Sequence, residues 1–277
     1  MNKPLFRVKS VTIPYPKQGT LLLFCLGFFS LWLGFPNAFV TCPPLVLFWP
    51  LSLVLFGLRA SSAKEAFFAA LATNFCGMIL TLYWLALPIR LVGEMPWIVA
   101  GACALLVSFA LAAILALESV FAYYAKCLPL VLFPISTALF WALLEEANAL
   151  LAGFPWLPLG AALVVWPVFV QQAAYCGMYG TSFLWLLALF LGIPIFYQKR
   201  LGLPLLCLGV FLIAVLLFHG HATLSREPFE ANPTDSTSFG VLFIEGNYDQ
   251  NQKWVPSLQR ETVLRYAQLT KEGLSDA

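Results

Sequence analysis

Charge is what this sequence has least of. Asp, Glu, Lys and Arg together make up 10% of its 277 residues. An ordinary soluble domain carries roughly 25%, so the chain is not a soluble globular protein throughout. Hydrophobic residues make up 61% and mean hydropathy is +0.86. Disorder requires low hydrophobicity and high charge, so it is excluded for most of the length. Histidine is nearly absent: His219 and His221 stand two apart with no third ligand nearby. That is a poor metal set, and the pair reads as interfacial residues at a helix end. The seven cysteines show no C-x-x-C or His-paired spacing. They read as small apolar packing residues, with no redox or zinc signature. No basic stripe runs along any face, which excludes nucleic acid as a partner. No internal repeat appears, which weighs against a small transporter or scaffold reading. No cofactor or metal is therefore expected.

Aromatic residues and long apolar runs are abundant. Twenty-five Phe and nine Trp suit a lipid environment, where rings also mark the interfaces. A helix crossing a hydrocarbon core of about 30 Å needs about 20 apolar residues. Seven such stretches are expected, near residues 20–33, 39–58, 66–89, 96–124, 128–151, 168–197 and 203–218. The first follows Lys3, Arg7, Lys9 and Lys17, as a signal peptide would. No clean small-residue cleavage site follows it and further apolar stretches do, so it reads as a span.

The charges that exist are uneven. Residues 1–224 carry a net charge of +5 and residues 225–277 a net charge of −3. With the N-terminus in the cytoplasm, Lys3, Arg7, Lys9, Lys17, Arg59, Lys64, Lys126, Lys199 and Arg200 fall on the cytoplasmic side, against Arg90 alone opposite before the tail. This bias orients the bundle, and an odd number of spans puts the polar tail outside. The expected organisation is a cytoplasmic N-terminus over 1–19, a membrane domain of about seven helices over 20–224, and a polar tail over 225–277.

A carboxylate in a span costs about 2.5–3.5 kcal/mol. Glu118, Glu145 and Glu146 therefore need a reason. Adjacent helical residues point about 100° apart, so Glu145 and Glu146 form no acid–base pair facing one substrate. Interfacial positioning is favoured over a polar patch lining a lipid-accessible cavity, and one carboxylate can turn inward while the other reaches the interface. The loop Gly153-Phe154-Pro155-Trp156-Leu157-Pro158 cannot be helical through its prolines. It reads either as a turn with an aromatic anchor or as irregular backbone lining a cavity.

In the tail, the apolar run from Phe239 to Ile244 reads as a strand buried on both faces. Pro256 opens a helix on which Val263, Tyr266, Ala267, Thr270 and Leu274 recur at helical spacing. A strand, a loop and a helix make only the beginning of an α/β domain.

These residues resemble a family. Glu245-Gly246-Asn247, Gln250, Lys253-Trp254, Leu264, Tyr266 and Leu269-Thr270 resemble the opening of the nitrilase-like domain of apolipoprotein N-acyltransferases. The family usually has Gln at the position of Glu245. The loop Gly153-Phe154-Pro155-Trp156 with Leu159-Gly160, the segment holding Gln172, Gly177, Tyr179-Gly180 and Phe183-Leu184, and Gly77 with Tyr83-Trp84-Leu85 resemble its membrane part, in the family's order. Ala161 replaces the family's usual Tyr, and no Arg follows Glu145 and Glu146 before Gly153.

The resemblance implies a helical membrane bundle followed by an incomplete α/β nitrilase-like fragment, in a bacterial inner membrane with the tail in the periplasm. It implies transfer of an acyl chain from a phospholipid donor to the diacylglyceryl-cysteine of an apolipoprotein acceptor, through a cysteine thioester. The family's catalytic Glu, Lys and Cys, and its eighth span, fall beyond Ala277, so no catalytic residue is expected within this sequence. Acyl transfer then requires a second chain completing the domain; otherwise the chain is an inactive truncated remnant. Trp254, Trp156 and Phe154 are the residues the resemblance assigns to substrate binding.

Overall fold

The computed structural model describes residues 18–37, 40–196, 198–225, 241–248 and 255–275. The chain divides into two units, residues 1–226 and 227–277.

The regular structure described in the first unit is all helical. Helix α1 (Gln18–Gly34) leads through an extended stretch and a 3₁₀ turn (Pro43–Leu47) into α2 (Phe48–Arg59). Helix α3 (Ala63–Leu82) continues through a 3₁₀ turn (Tyr83–Leu85) into the short α4 (Ala86–Leu91). Helices α5 (Trp97–Leu115) and α6 (Leu117–Ala125) are nearly continuous. Then come α7 (Leu132–Ala152), the short α8 (Leu159–Leu163), a 3₁₀ turn (Pro167–Phe169), α9 (Ala173–Phe190) and α10 (Lys199–Leu224).

Local sequence explains the breaks. Ser62 caps α3 by accepting from the Glu65 amide at 3.1 Å, and Glu65 reaches back to the Ser61 amide at 2.9 Å. This is a near relative of the capping box, displaced by one residue. Helix α7 ends at Gly153, whose φ of +69° is the left-handed cap that glycine adopts without penalty. Pro43 and Pro44 hold the preceding backbone extended, so α2 starts later than the apolar run suggests.

That late start bears on the expected seven spans. Among the described residues five helical segments are long and apolar enough to cross a membrane: Ala63–Leu91, Trp97–Ala125, Leu132–Ala152, Ala173–Phe196 and Lys199–Leu224. The first two apolar helices, Gly19–Gly34 and Pro43–Arg59, are shorter. At 1.5 Å per residue, 17 residues reach only about 25 Å.

The core is built from Trp49, Leu53, Met78, Leu115, Trp141, Leu159, Leu186 and Phe190, all nearly inaccessible. Outward faces are as apolar as the core: Ile98 is 87% exposed and Phe218 74%. Apolar surface on all sides is the pattern of helices solvated by lipid. Helices approach closely at small residues. A Cβ on Gly57 would run into the Ser119 carbonyl oxygen, and one on Gly220 into that of Val168.

In the second unit, residues 241–248 form neither helix nor strand, and a 3₁₀ turn (Pro256–Leu258) opens α11 (Gln259–Ser275). The expected helix after Pro256 is present. The expected strand is not: Phe239 and Gly240 lie outside the described residues, and Val241 to Ile244 have no strand beside them among the described residues. A lone strand has nothing to bond to. The segment lies along α11 instead, with Gly246 against the Tyr266 ring and Gly273 against Leu242. Val241, Phe243, Val263, Leu264 and Leu274 remain exposed.

Candidate lipid-facing site

Several of the polar groups buried in the first unit form a spine across the bundle. The Asn74 amide of α3 donates to the Ala112 carbonyl oxygen at 3.2 Å, and its Oδ1 accepts from Trp49 Nε1 of α2 at 2.8 Å. The Trp49 ring meets Trp141 of α7 edge to face, with centroids 5.0 Å apart. Trp141 Nε1 donates to Glu145 Oε1 at 2.8 Å, one helical turn on. The same oxygen accepts the Leu159 amide, at 2.8 Å, where α8 begins. The next amide, Gly160, donates to Ser182 Oγ of α9 at 3.2 Å. Each donor in this chain has an acceptor, which is how polar groups survive burial in an apolar bundle.

Glu145 and Glu146 separate as their helical angle requires. Glu145 is 4% exposed and bonded as above, whereas Glu146 is exposed. Interfacial positioning, the favoured expectation, therefore fails for Glu145. It fails for Glu118 too, which is fully buried with both carboxylate oxygens unpaired, beside an unpaired Ser119 hydroxyl. The apolar periodicity of α6 gave no sign that Glu118 faces inward. His219 is half-buried and packs on the Tyr175 ring at 5.7 Å. Among the described residues no three His, Cys, Asp or Glu side chains gather where they would hold a metal.

At the α8 end of the spine stands an aromatic cluster. Phe154 and Trp156, two of the three residues expected to bind substrate, have ring centroids 5.0 Å apart. Trp84, from the 3₁₀ turn after α3, lies 6.2 Å from Trp156. Phe154 is 57% exposed and Trp84 48%, so the cluster opens outward, while Trp156 packs against the core. The backbone beneath it is irregular: Leu157 has φ of +52° and Trp156 N bonds Phe154 O at 2.9 Å. The third expected residue, Trp254, lies outside the described residues, as do Gln250 and Lys253. Trp84 was legible only as part of a short motif, and Trp49, Asn74 and Trp141 carried no signal as site residues.

This arrangement offers apolar rings against which an acyl chain can lie. Among the described residues of the cluster there is no nucleophile paired with a base.

A family model described as the apolipoprotein N-acyltransferase N-terminal domain matches residues 22–191. The chain belongs to this family. The match takes in the whole buried spine, from Trp49 to Ser182, and the aromatic cluster. Apolipoprotein N-acyltransferases from curated collections align over most of the chain. That of Geobacter metallireducens is 32% identical over 256 residues, 87% of this chain and 46% of the relative. That of Vibrio vulnificus is 29% identical over 80% of this chain and 42% of its own length. That of Shewanella oneidensis is 26% identical over 88% and 44%. The chain thus spans a little under half the length of the curated relatives it matches. Family membership and the long apolar helices together make it a membrane protein.

Proposed function

We propose that this chain supplies the membrane part of an apolipoprotein N-acyltransferase. That enzyme moves an acyl chain from a phospholipid to the α-amino group of an apolipoprotein's diacylglyceryl-cysteine. The observation that carries the reading is the family match over residues 22–191, which takes in the helical unit from within α1 to the end of α9. Acyl transfer through a thioester splits one difficult step into two easier ones. The nucleophilic Cys, the general base Glu and the oxyanion-stabilising Lys are assigned to the remainder of the nitrilase-like domain, supplied by a second chain or by further sequence. Trp254, in the Lys-Trp motif, is assigned to the acyl-binding part of that domain. Trp156, Phe154 and Trp84 are assigned to the path by which phospholipid reaches it from the bilayer. Their outward-opening rings on an irregular loop support this role, since amphipathic rings belong at the membrane interface.

The orientation proposed is N-terminus in the cytoplasm and tail in the periplasm of a bacterial inner membrane, with α1 and α2 crossing as a pair to give seven spans. Among the described residues Arg59, Lys64, Lys126, Lys199 and Arg200 lie at the ends of α2, α3, α6 and α10 that this orientation places inside. Among the described residues before the tail, Arg90 alone lies outside.

The test is a bacterium depleted of its own acyltransferase and expressing this chain together with a polypeptide carrying the rest of the nitrilase-like domain. Mature lipoproteins are read by mass spectrometry. The expected result is the mass of one added acyl chain on the N-terminal cysteine. Lipoproteins that stay diacylated when both polypeptides are stable in the membrane would sink the reading.

A further inference from the structure

We propose that Glu145 is a positioning residue: through Oε1 it clasps the loop that presents Phe154 and Trp156 to lipid, and so sets their distance from Trp84. The role of the cluster rests on the function proposed above; the clasp rests on geometry alone.

The loop has few means of fastening itself. Pro155 and Pro158 carry no amide hydrogen, so the Leu159 amide is the first donor after Pro158. It is spent on Glu145 Oε1 at 2.8 Å, fourteen residues back on α7. Leu157, two residues before it, is in the left-handed region at φ +52°. A bulky residue there costs about 1–2 kcal/mol and persists only where its surroundings enforce it. The enforcing contacts lie just after it. Pro158 and Leu159 are buried, and Gly160 sits close enough to α9 that a Cβ would lie 2.8 Å from the Met178 carbonyl oxygen. The loop's far side is thus pinned, and Trp156 stands three residues from the pin.

The opposite wall of the cluster leads to the same place. Trp84 is carried by the continuation of α3, and α3 is tied through Asn74 to Trp49, which packs on Trp141. Trp141 in turn donates to the same oxygen of Glu145. Both walls therefore converge on one carboxylate oxygen. Glu146, its exposed neighbour, makes no such link and serves as a control. What the clasp needs is an acceptor at Oε1, not a negative charge. Gln at position 145 keeps that acceptor on the same stem, and Leu removes it.

The experiment uses the full chain in nanodiscs of phosphatidylethanolamine, with two readouts. Hydrogen exchange reports the amides of Leu159 and Gly160. Photo-crosslinking from p-benzoylphenylalanine in place of Phe154 reports contact with phospholipid acyl chains. Glu145→Leu is expected to speed exchange at Leu159 by roughly fivefold or more, the cost of leaving a buried donor without its acceptor, and to cut the crosslink yield several-fold. Glu145→Gln and Glu146→Leu are expected to stay within about twofold of wild type, the range of a retained neutral bond. Unchanged exchange in Glu145→Leu overturns the clasp, and so does a Glu145→Gln that behaves like Glu145→Leu. If the Leu variant fails to fold, Glu145→Met, which keeps a long unbranched stem without the oxygen acceptor, takes its place with the same expected and overturning results. A wild-type chain that never crosslinks to lipid, with its Leu159 amide still protected by Glu145, sinks the role of the cluster and leaves the clasp as structure only.

Discussion

Trp49 shows how one side chain can do two jobs that its sequence position does not reveal. Its ring fills the core against Phe35 and Trp141, and its Nε1 satisfies Asn74, which would otherwise be a buried amide among hydrocarbons. The two jobs separate by mutation. Trp49→Phe keeps a ring and removes the donor, leaving Asn74 Oδ1 unpaired. The cost is expected to be about 1–3 kcal/mol, partly from unsatisfied polarity and partly from lost volume. Adding Asn74→Leu to that variant removes the orphaned amide and is expected to recover part of the loss, since replacing both partners by apolar groups can be nearly neutral. Reversible unfolding in mixed micelles at increasing denaturing detergent measures both. A double variant no more stable than Trp49→Phe alone would show that Asn74 acts chiefly through its other bond, to the Ala112 carbonyl oxygen. The sequence spoke clearly at this scale only where chemistry and spacing were local. Glu145 and Glu146 had to diverge because they are adjacent on a helix, and they do. Trp49 and Asn74 are 25 residues apart and meet only because α2 packs on α3, so no periodicity announces the pair. Glu118 lies among apolar neighbours in a helix where every face is apolar, so the pattern could not say which way it points.

Whole elements were legible where composition alone decides, and less so where neighbours decide. Five long apolar helices stand close to where the apolar runs place them. The starts and stops follow proline and glycine, as at Pro43 and Gly153. The strand near Val241 was inferred from its apolar run, and a strand exists only with a partner to bond, so its reading failed for want of a neighbour. A break inside an element was also missed. Helix α9 is interrupted at Gly177, whose φ of +69° and ψ of −174° lie in a region open almost only to glycine. No atom lies within 4 Å of where its Cβ would be, so space does not restrict the position. Gly177→Ala is therefore expected to cost about 1–3 kcal/mol through backbone conformation alone. Gly101 gives the matching control: it is in α5, has ordinary helical backbone and equally open space. Gly101→Ala is expected to be neutral or stabilising by up to about 1 kcal/mol. The pair is compared by the same detergent-unfolding measurement. Equal effects of the two substitutions would mean that the Gly177 break carries no strain for other residues.

At the scale of the molecule, the open question is how the helices meet the bilayer, and the cysteines make it answerable. Basic residues gather at one end of the bundle, and the proposed orientation puts that end in the cytoplasm. The turn after α6 holds Cys127, exposed, on the side proposed as cytoplasmic. The turn between α4 and α5 holds Met95, 46% exposed, on the other. In intact cells with a permeable outer membrane, an impermeant maleimide is expected to label Met95→Cys and to leave Cys127 untouched until the inner membrane is opened, each tested in a chain stripped of its other cysteines. The reverse pattern would invert the proposed orientation and move the tail to the cytoplasm. The same reagent settles the two short helices. If α1 and α2 cross as a pair, the turn between them reaches the periplasmic side, and Val40→Cys, at a residue 54% exposed, is labelled from outside. If they stop within the bilayer, Val40→Cys stays dark while Met95→Cys is labelled, and the membrane part has five crossings. Both counts leave α3 starting on the cytoplasmic side and α10 ending on the other, because adding or removing a pair preserves parity. Leu274→Cys in α11 is therefore expected to be labelled from outside whichever count holds. A tail protected there until the inner membrane is opened would break the link between helix count and tail position on which the periplasmic placement of the acyl-transfer domain depends.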